Sequence, residues 1–251
     1  MLLSLDENQI DIWQTSVSLF QENHAIGELE AMLTESDLEA IALIRRPSEK
    51  LVKIVSRAFL RSVLAKYTGL APQAIQFERG LHGKPQLVNE GLSLEFNLSH
   101  SDNVLACALS KKNPIGVDVE RIRFKRNLIR LGHTVFSEDE KREFEGLSDA
   151  AKEAYFFDRW TLKESLIKAT GQGLTTKLNN VSFGQSDASA SFSVAGVQSK
   201  VVESEYASWL WPISPQHRLA VTLCTSESNH NQITIRSFNF LPGRTINEIA
   251  A

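Results

Sequence analysis

The segment "EKLVKIVSRAFLRSVLAKYTG", residues 49–69, constrains the fold most. Leu51, Val55, Phe59 and Val63 recur every four residues, so one face of an α-helix is apolar and must be covered. Gly69 and then Pro72 end it. A second long helix is expected at about 149–170, with Ser148 as its N-cap. Residues 28–44 read as a further helical stretch, and Ser137 with Glu140 has capping-box spacing for another. Between and after these come short, turn-bounded apolar runs expected as strands: "QIDIWQTSVSL", "IQFERGLHGKPQL", "LSLEFNLSHSDNVLACALSKK" with Asp102-Asn103 as its hairpin turn, and "PIGVDVE". Beyond Gly173 the expected strands are "NNVSFG", "ASFSVAGV", "KVVESEYASWLW", "HRLAVTLCT" and "ITIRSFNF", with "SESNHNQ" a loop. The class is α+β.

"DNVLACALS" and "HRLAVTLCT" are both turn-then-strand segments, one in each half, and each half has a long helix. This faint echo suggests two similar α+β lobes, residues 1–112 and 113–251, joined near Lys112–Pro114. The chain of 251 residues can bury a core in each. Its 42% hydrophobic and 23% charged content is that of an ordinary globular protein. A net charge of -3 argues against a general nucleic-acid binder. Cys107 and Cys224 lie in apolar runs and are expected as buried thiols of a reducing compartment. The N-terminal "MLLSLDENQ" turns acidic at once, without a basic leader, and no apolar run reaches membrane-spanning length. A soluble cytoplasmic protein is expected.

Three short stretches carry chemistry. In "GVDVE", strand alternation sends Ile115, Val117 and Val119 to one face, and Asp118 and Glu120 together to the other. Paired carboxylates repel unless a cation sits between them, and hard oxygen donors suit Mg²⁺. The alternative is a pair of solvated acids. In "WTLKESLIKATGQGL", residues 160–174, helical spacing aligns Trp160, Glu164 and Lys168, with Phe156 extending the line and Lys163 on its flank. An ordinary Glu164–Lys168 ion pair accounts for two of these residues but not for the indole. If this face meets the strand, Glu164 becomes a third carboxylate, and Lys163 and Lys168 are placed to hold phosphate oxygens as point charges. In "FNLSHS", Ser99 and His100 close a strand and suit phosphate contact. A Ser–His nucleophile pair is discounted, because neighbours on a strand face opposite ways and no G-x-S-x-G elbow is present. Upstream, "HGKP" (82–85) is a turn carrying Lys84. A basic stripe of Lys50, Lys53, Arg57 and Arg61 beside the apolar face of the first long helix is either solvated or anion-facing.

Taken in order, "GKP", "FNLSHS", "GVDVE" and "WTLKESLIK" with "GQGL" resemble the 4′-phosphopantetheinyl transferase superfamily, in its long, two-lobed, surfactin-synthetase-activating form. The motifs span about residues 83–174, and the strand-rich C-terminal part also fits. The resemblance implies two similar lobes with coenzyme A in the cleft between them. It implies that Asp118, Glu120 and Glu164 hold Mg²⁺, that Lys168 contacts the phosphates, and that Ser99 and His100 touch them too. Gly83, Lys84 and Pro85 would line the nucleotide end, and Trp160 and Lys163 would complete the helix face. The implied reaction moves phosphopantetheine from coenzyme A to a serine of an apo carrier protein and releases 3′,5′-ADP. Glu164, directly or through water, is expected to take the serine proton, with Glu120 and Lys168 the other catalytic candidates; the residues alone do not separate the carboxylates. The N-terminal lobe of such proteins usually grips the 3′-phosphate with basic residues, whereas "ELEAMLTESDLEAIALI" is acidic here. Arg45, Arg46, Lys50, Lys53 and Arg57 are the candidates instead.

The partner implied is an acidic acyl or peptidyl carrier protein. "RIRFKRNLIR" (121–130) offers Arg121, Arg123, Lys125, Arg126 and Arg130 around Phe124, Leu128 and Ile129, a basic surface with apolar anchors. Neither nucleic acid nor membrane is expected, and a working monomer is. The principal rival is a non-catalytic regulator that binds coenzyme A or a carrier protein. A Mg²⁺-dependent hydrolase without protein acceptor and a plain interaction module are the others.

Overall fold

A computed structural model describes residues 2–21, 23–80, 83–89, 91, 93–123, 127–171, 173, 177–183, 190–191, 206–225, 233–241 and 247–249. The chain forms two compact units, one of Met1–Gly80, Pro85–Lys112 and Thr234–Ala251, the other of Leu81–Lys84 and Asn113–Ile233.

The first unit opens with β1 (Gln9–Ser16) and three helices, α1 (Asn23–Glu30), α2 (Glu35–Ala42) and α3 (Pro47–Thr68). The single helical stretch expected at 28–44 is thus two helices, because Thr34 caps α2 through its hydroxyl. The hairpin β2 (Phe77–Arg79) and β3 (Pro85–Leu87) follows, then β4 (Glu95–Ser101) and β5 (Val104–Ser110). The turn between the last two falls at Asp102, whose φ of 51° is one that Asp tolerates better than most side chains. The apolar face of α3 buries Val55, Phe59 and Val63 completely, in a core with Trp13, Phe20, Phe96 and Phe238. The basic stripe of α3 divides. Arg61 is only 5% exposed and donates to Asp37 of α2 and to the carbonyls of Pro72 and Ile75, so it is a structural clamp.

The second unit contains β6 (Ile115–Arg121), α4 (Leu128–Val135), α5 (Glu138–Glu145), α6 (Asp149–Thr170), β7 (Ala190–Ser191), β8 (Tyr206–Ser214) and β9 (His217–Cys224). Helix α4 was not expected from the sequence. The capping box that opens α5 is present, with Ser137 and Glu140 in both roles. "NNVSFG" is not a strand: Leu178–Asn180 form one 3₁₀ turn. Most of "ASFSVAGV" and all of "SESNHNQ" lie outside the described residues, as do Lys125, Arg126 and Phe124 of the basic segment.

The chain then returns. β10 (Thr234–Asn239) pairs in parallel with β1, and β11 (Asn247–Ile249) pairs with β10, so the first sheet runs β11-β10-β1-β5-β4. The expected division placed all of 113–251 in one lobe. The closing strands instead complete the first sheet, tied in by Arg236, which grips the buried Asp11 carboxylate through Nε and Nη2. The two units share a topology. In each, a strand leads through a 22-residue helix to a hairpin whose last strand pairs antiparallel with the first: β1-β5-β4 and β6-β9-β8. Both long helices end on a left-handed glycine, Gly69 and Gly171.

Candidate active site

Small side chains let α6 lie hard against β6 and β9. Gly116, Asp118 and Glu120 share the face of β6 turned to α6, and their register partners on β9 are Thr222, Ala220 and Arg218. A Cβ on Gly116 would lie 2.0 Å from the Ser165 carbonyl oxygen and 2.4 Å from the Ala169 nitrogen, so only glycine admits this approach. Just beyond it, Ser165 Oγ and Thr222 Oγ1 share a buried hydrogen bond of 2.7 Å, and Thr222 bonds Ser208 at 2.6 Å. Ile115, Val117 and Val119 are fully or almost fully buried, as their alternation requires.

This contact brings five of the expected residues together. Lys168 Nζ donates to Asp118 Oδ1 at 2.6 Å. Trp160 Nε1 donates to Glu120 Oε1 at 3.1 Å, and its ring stacks on Phe156 with centroids 6.0 Å apart. Glu164 lies between Trp160 and Lys168 on the helix face. Burial raises its pKa above the ordinary value; the Asp118 charge adds to this, Lys168 opposes it, and Glu120 pushes it up further. The indole that an ion pair left unexplained is there to orient a carboxylate. Trp160→Phe keeps the stacked ring and deletes the donor. The affinity of the site for a divalent cation is expected to fall about tenfold, the equivalent of ~1.4 kcal/mol, in a calorimetric titration with Mg²⁺. An unchanged affinity would uncouple Trp160 from Glu120.

The expectation for Lys163 is corrected. It is fully buried and donates to Glu140 Oε2 at 2.5 Å and to the carbonyls of Val135, Leu178 and Val181 at 2.7, 3.1 and 2.7 Å. Its three hydrogens are used inside the protein, so it holds no phosphate. Burial pushes its pKa down to about 8 against the opposing pull of Glu140.

Lys84 serves another end of the same contact. Its Nζ donates to the carbonyls of Ile115 and Lys168 at 2.9 and 3.1 Å, the second of them in the last turn of α6. Gly83 beside it has a φ of 81°, and Pro85 begins β3. In the first unit, Ser99 is buried and His100 exposed on β4, opposite faces as alternation demands. Lys53 is exposed on α3, its pKa lowered by desolvation and then by the neighbouring Arg57 and Arg79 charges. Arg57 stands 3.7 Å from Asp37. Of the apolar anchors expected on 121–130, Leu128 is buried in the α4–α5–α6 core, while Ile129 is 61% exposed.

Residues the sequence did not single out complete the surroundings. Arg218, opposite Glu120 in register, donates to Asp158 at 2.6 Å. Glu140 was visible only as a helix cap.

The donor set fits a hard divalent cation: carboxylate oxygens, which Mg²⁺ prefers, beside a lysine suited to phosphate. Among the described residues, no three His, Cys, Asp or Glu side chains are drawn together as a ready cage. Asp118 and Glu120 each give an oxygen to a neighbouring donor instead. A Mg²⁺ that keeps waters and shares substrate phosphates requires only one or two direct carboxylates.

Two family models match successive parts of the chain: the N-terminal model of 4′-phosphopantetheinyl transferase over residues 21–112, and the 4′-phosphopantetheinyl transferase superfamily model over 114–224. The 4′-phosphopantetheinyl transferase HetI of Nostoc is 32% identical, over 68% of this chain and 73% of its own. This chain belongs to the 4′-phosphopantetheinyl transferase superfamily. It is of the long, two-model type. The transferase psf-1 of Bacillus pumilus is 30% identical over 68% of this chain and 70% of its own. The match to slr0495 of Synechocystis, at 34% identity, spans 61% of this chain but only 62% of that relative. Among solved structures, the holo-[acyl-carrier-protein] synthase of Thermotoga maritima has a TM-score of 0.37 and 21% identity over 45% of this chain and 64% of that chain. No helix among the described residues is long and apolar enough to cross a membrane.

Proposed function

We propose that this chain transfers the 4′-phosphopantetheine group of coenzyme A to a serine of an apo carrier protein, with Mg²⁺. The observation that carries the reading is the face of α6 on which Glu164 and Lys168 meet Asp118 of β6. A raised carboxylate pKa suits a base that works near neutrality. The serine oxygen forms a bond to the phosphorus that bears pantetheine, the bond from that phosphorus to the bridging oxygen breaks, and 3′,5′-ADP leaves with the electron pair. The serine proton goes to Glu164. Lys168 is the point charge for phosphate oxygens, and Trp160 holds Glu120 oriented. When bound by Asp118, Glu120 and Glu164, Mg²⁺ supplies positive charge to the pyrophosphate. For the nucleotide end, the chemistry of Lys53, Arg57, Ser99 and His100 supports the assignment that the resemblance makes. For the carrier, the exposed Arg123, Ile129 and Arg130 support a docking surface for an acidic partner.

The test is intact-mass spectrometry of an apo carrier protein incubated with this protein, coenzyme A and Mg²⁺, with an EDTA control. The expected result is one phosphopantetheine added to serine, only with free metal. Coenzyme A binding without transfer across fatty-acid and peptide carriers would favour a non-catalytic binder; 3′,5′-ADP release without a carrier would favour a hydrolase.

A further inference from the structure

The Lys163–Glu140 pair has no part in the chemistry above, yet it is built with unusual completeness. Lys163 and Glu140 are 0% and 1% exposed. Glu140 accepts from Lys163 and from the Ser137 nitrogen on Oε2, and from the Phe183 nitrogen at 3.0 Å on Oε1. Lys163 adds the carbonyls of Val135, Leu178 and Val181. Two side chains thereby fasten α6 to the end of α4, the start of α5 and the 178–183 segment. Arg159 lies one turn before Lys163 on the same face, 4.0 Å from Glu140 and 3.6 Å from Glu143. Two cations of α6 thus meet two acids of α5 along one row. The row of Trp160, Glu164 and Lys168 lies about 100° round the helix. A rotation of α6 that moved Glu164 would have to break the first row.

We propose that Lys163 and Glu140 are positioning residues which fix the rotation of α6 about its axis, and so hold Glu164 and Lys168 toward Asp118. A hydrophobic pair would pack α6 without choosing one rotation, whereas four fixed acceptors around one ammonium choose it. This proposal rests on the transferase reading.

The variants are Lys163→Met, which removes the charge, and Glu140→Asp, which keeps the charge and the Ser137 hydroxyl cap on the residue-140 nitrogen but shortens the reach. Each is measured by circular dichroism, by calorimetric titration with coenzyme A with and without Mg²⁺, and by transfer kinetics. At a temperature where they are folded, both are expected to lose at least tenfold of the Mg²⁺-dependent gain in coenzyme A affinity, with metal-free affinity unchanged. In both, kcat should fall while KM for the carrier stays within about twofold. A purely structural pair would lower the melting temperature and leave these ratios at wild-type values, which would overturn the proposal. So would finding both variants unfolded at every temperature. If the unsubstituted protein shows neither transfer nor Mg²⁺-dependent coenzyme A binding, the transferase reading has failed, and the comparison of variants is not reached.

Discussion

Glu164→Gln is expected to lower carrier-protein transfer by about 10²–10⁴-fold while coenzyme A still binds. The substitution is nearly isosteric, so the packing of α6 is kept and the change falls on charge. Glutamine cannot accept the serine proton and is a poorer donor to a hard cation. The same variant should be more stable than the unsubstituted protein in EDTA at pH 8. Burial and the Asp118 charge hold the Glu164 pKa above its ordinary value. A carboxyl raised in the folded state contributes stability that is present below its unfolded pKa and lost as pH rises through the folded value. Glutamine removes that pH-dependent loss, so the variant is expected to melt above the unsubstituted protein at pH 8. The advantage should shrink as pH falls toward 4.5, and Mg²⁺ should stabilise only the protein with glutamate. Wild-type transfer by Glu164→Gln would remove Glu164 from the chemistry. A lower melting temperature in EDTA would show that its charge is not strained by its neighbours.

Much of this was legible because it is periodic. Four-residue recurrence located α3, and two-residue alternation put Asp118 and Glu120 on one face of β6. The line of Trp160, Glu164 and Lys168 follows from helical spacing alone. What escaped is what depends on partners distant in sequence. Lys163 looks like a surface lysine until Glu140 and three carbonyls close round it, and the capping-box pattern explained Glu140 without hinting at its second role. Arg61 read as one of four cations on a stripe, but Asp37 and two carbonyls draw it inside. The return of β10 to β1 could not be read from either strand, since a parallel partner leaves no turn in the sequence to announce it. α4 was hidden because its apolar residues are interleaved with a basic run, whose charge invited a functional explanation first.

Gly116 tests whether the site depends on how closely its two elements approach. The added methyl of Gly116→Ala would sit 2.0 Å from the Ser165 oxygen, 2.4 Å from the Ala169 nitrogen and 2.9 Å from the Lys168 carbonyl carbon. All three are helix backbone, so no rotamer change relieves the clash. Ordinary van der Waals contact begins at 3.4 Å, and β6 and α6 must part to reach it. Overpacking of this kind costs about 1–3 kcal/mol, and here the upper part of that range is expected, a fall of roughly 6–12 °C in melting temperature. The site suffers separately. Asp118 is two residues along β6, and Lys168 is on the turn of α6 that is pushed away, so their 2.6 Å contact cannot survive the separation. Misplacement by about 1 Å can lower a rate about 10²-fold, and that loss is expected well below the melting temperature. Gly171→Ala is the control. Its φ of 67° makes alanine strained, but nothing lies within 4 Å of the new methyl. It should lose about 1 kcal/mol of stability and keep its rate. If Gly116→Ala melts lower yet transfers at the rate of Gly171→Ala, close approach of the helix serves packing alone, and the geometry of Asp118 against Lys168 is not what the reaction depends on.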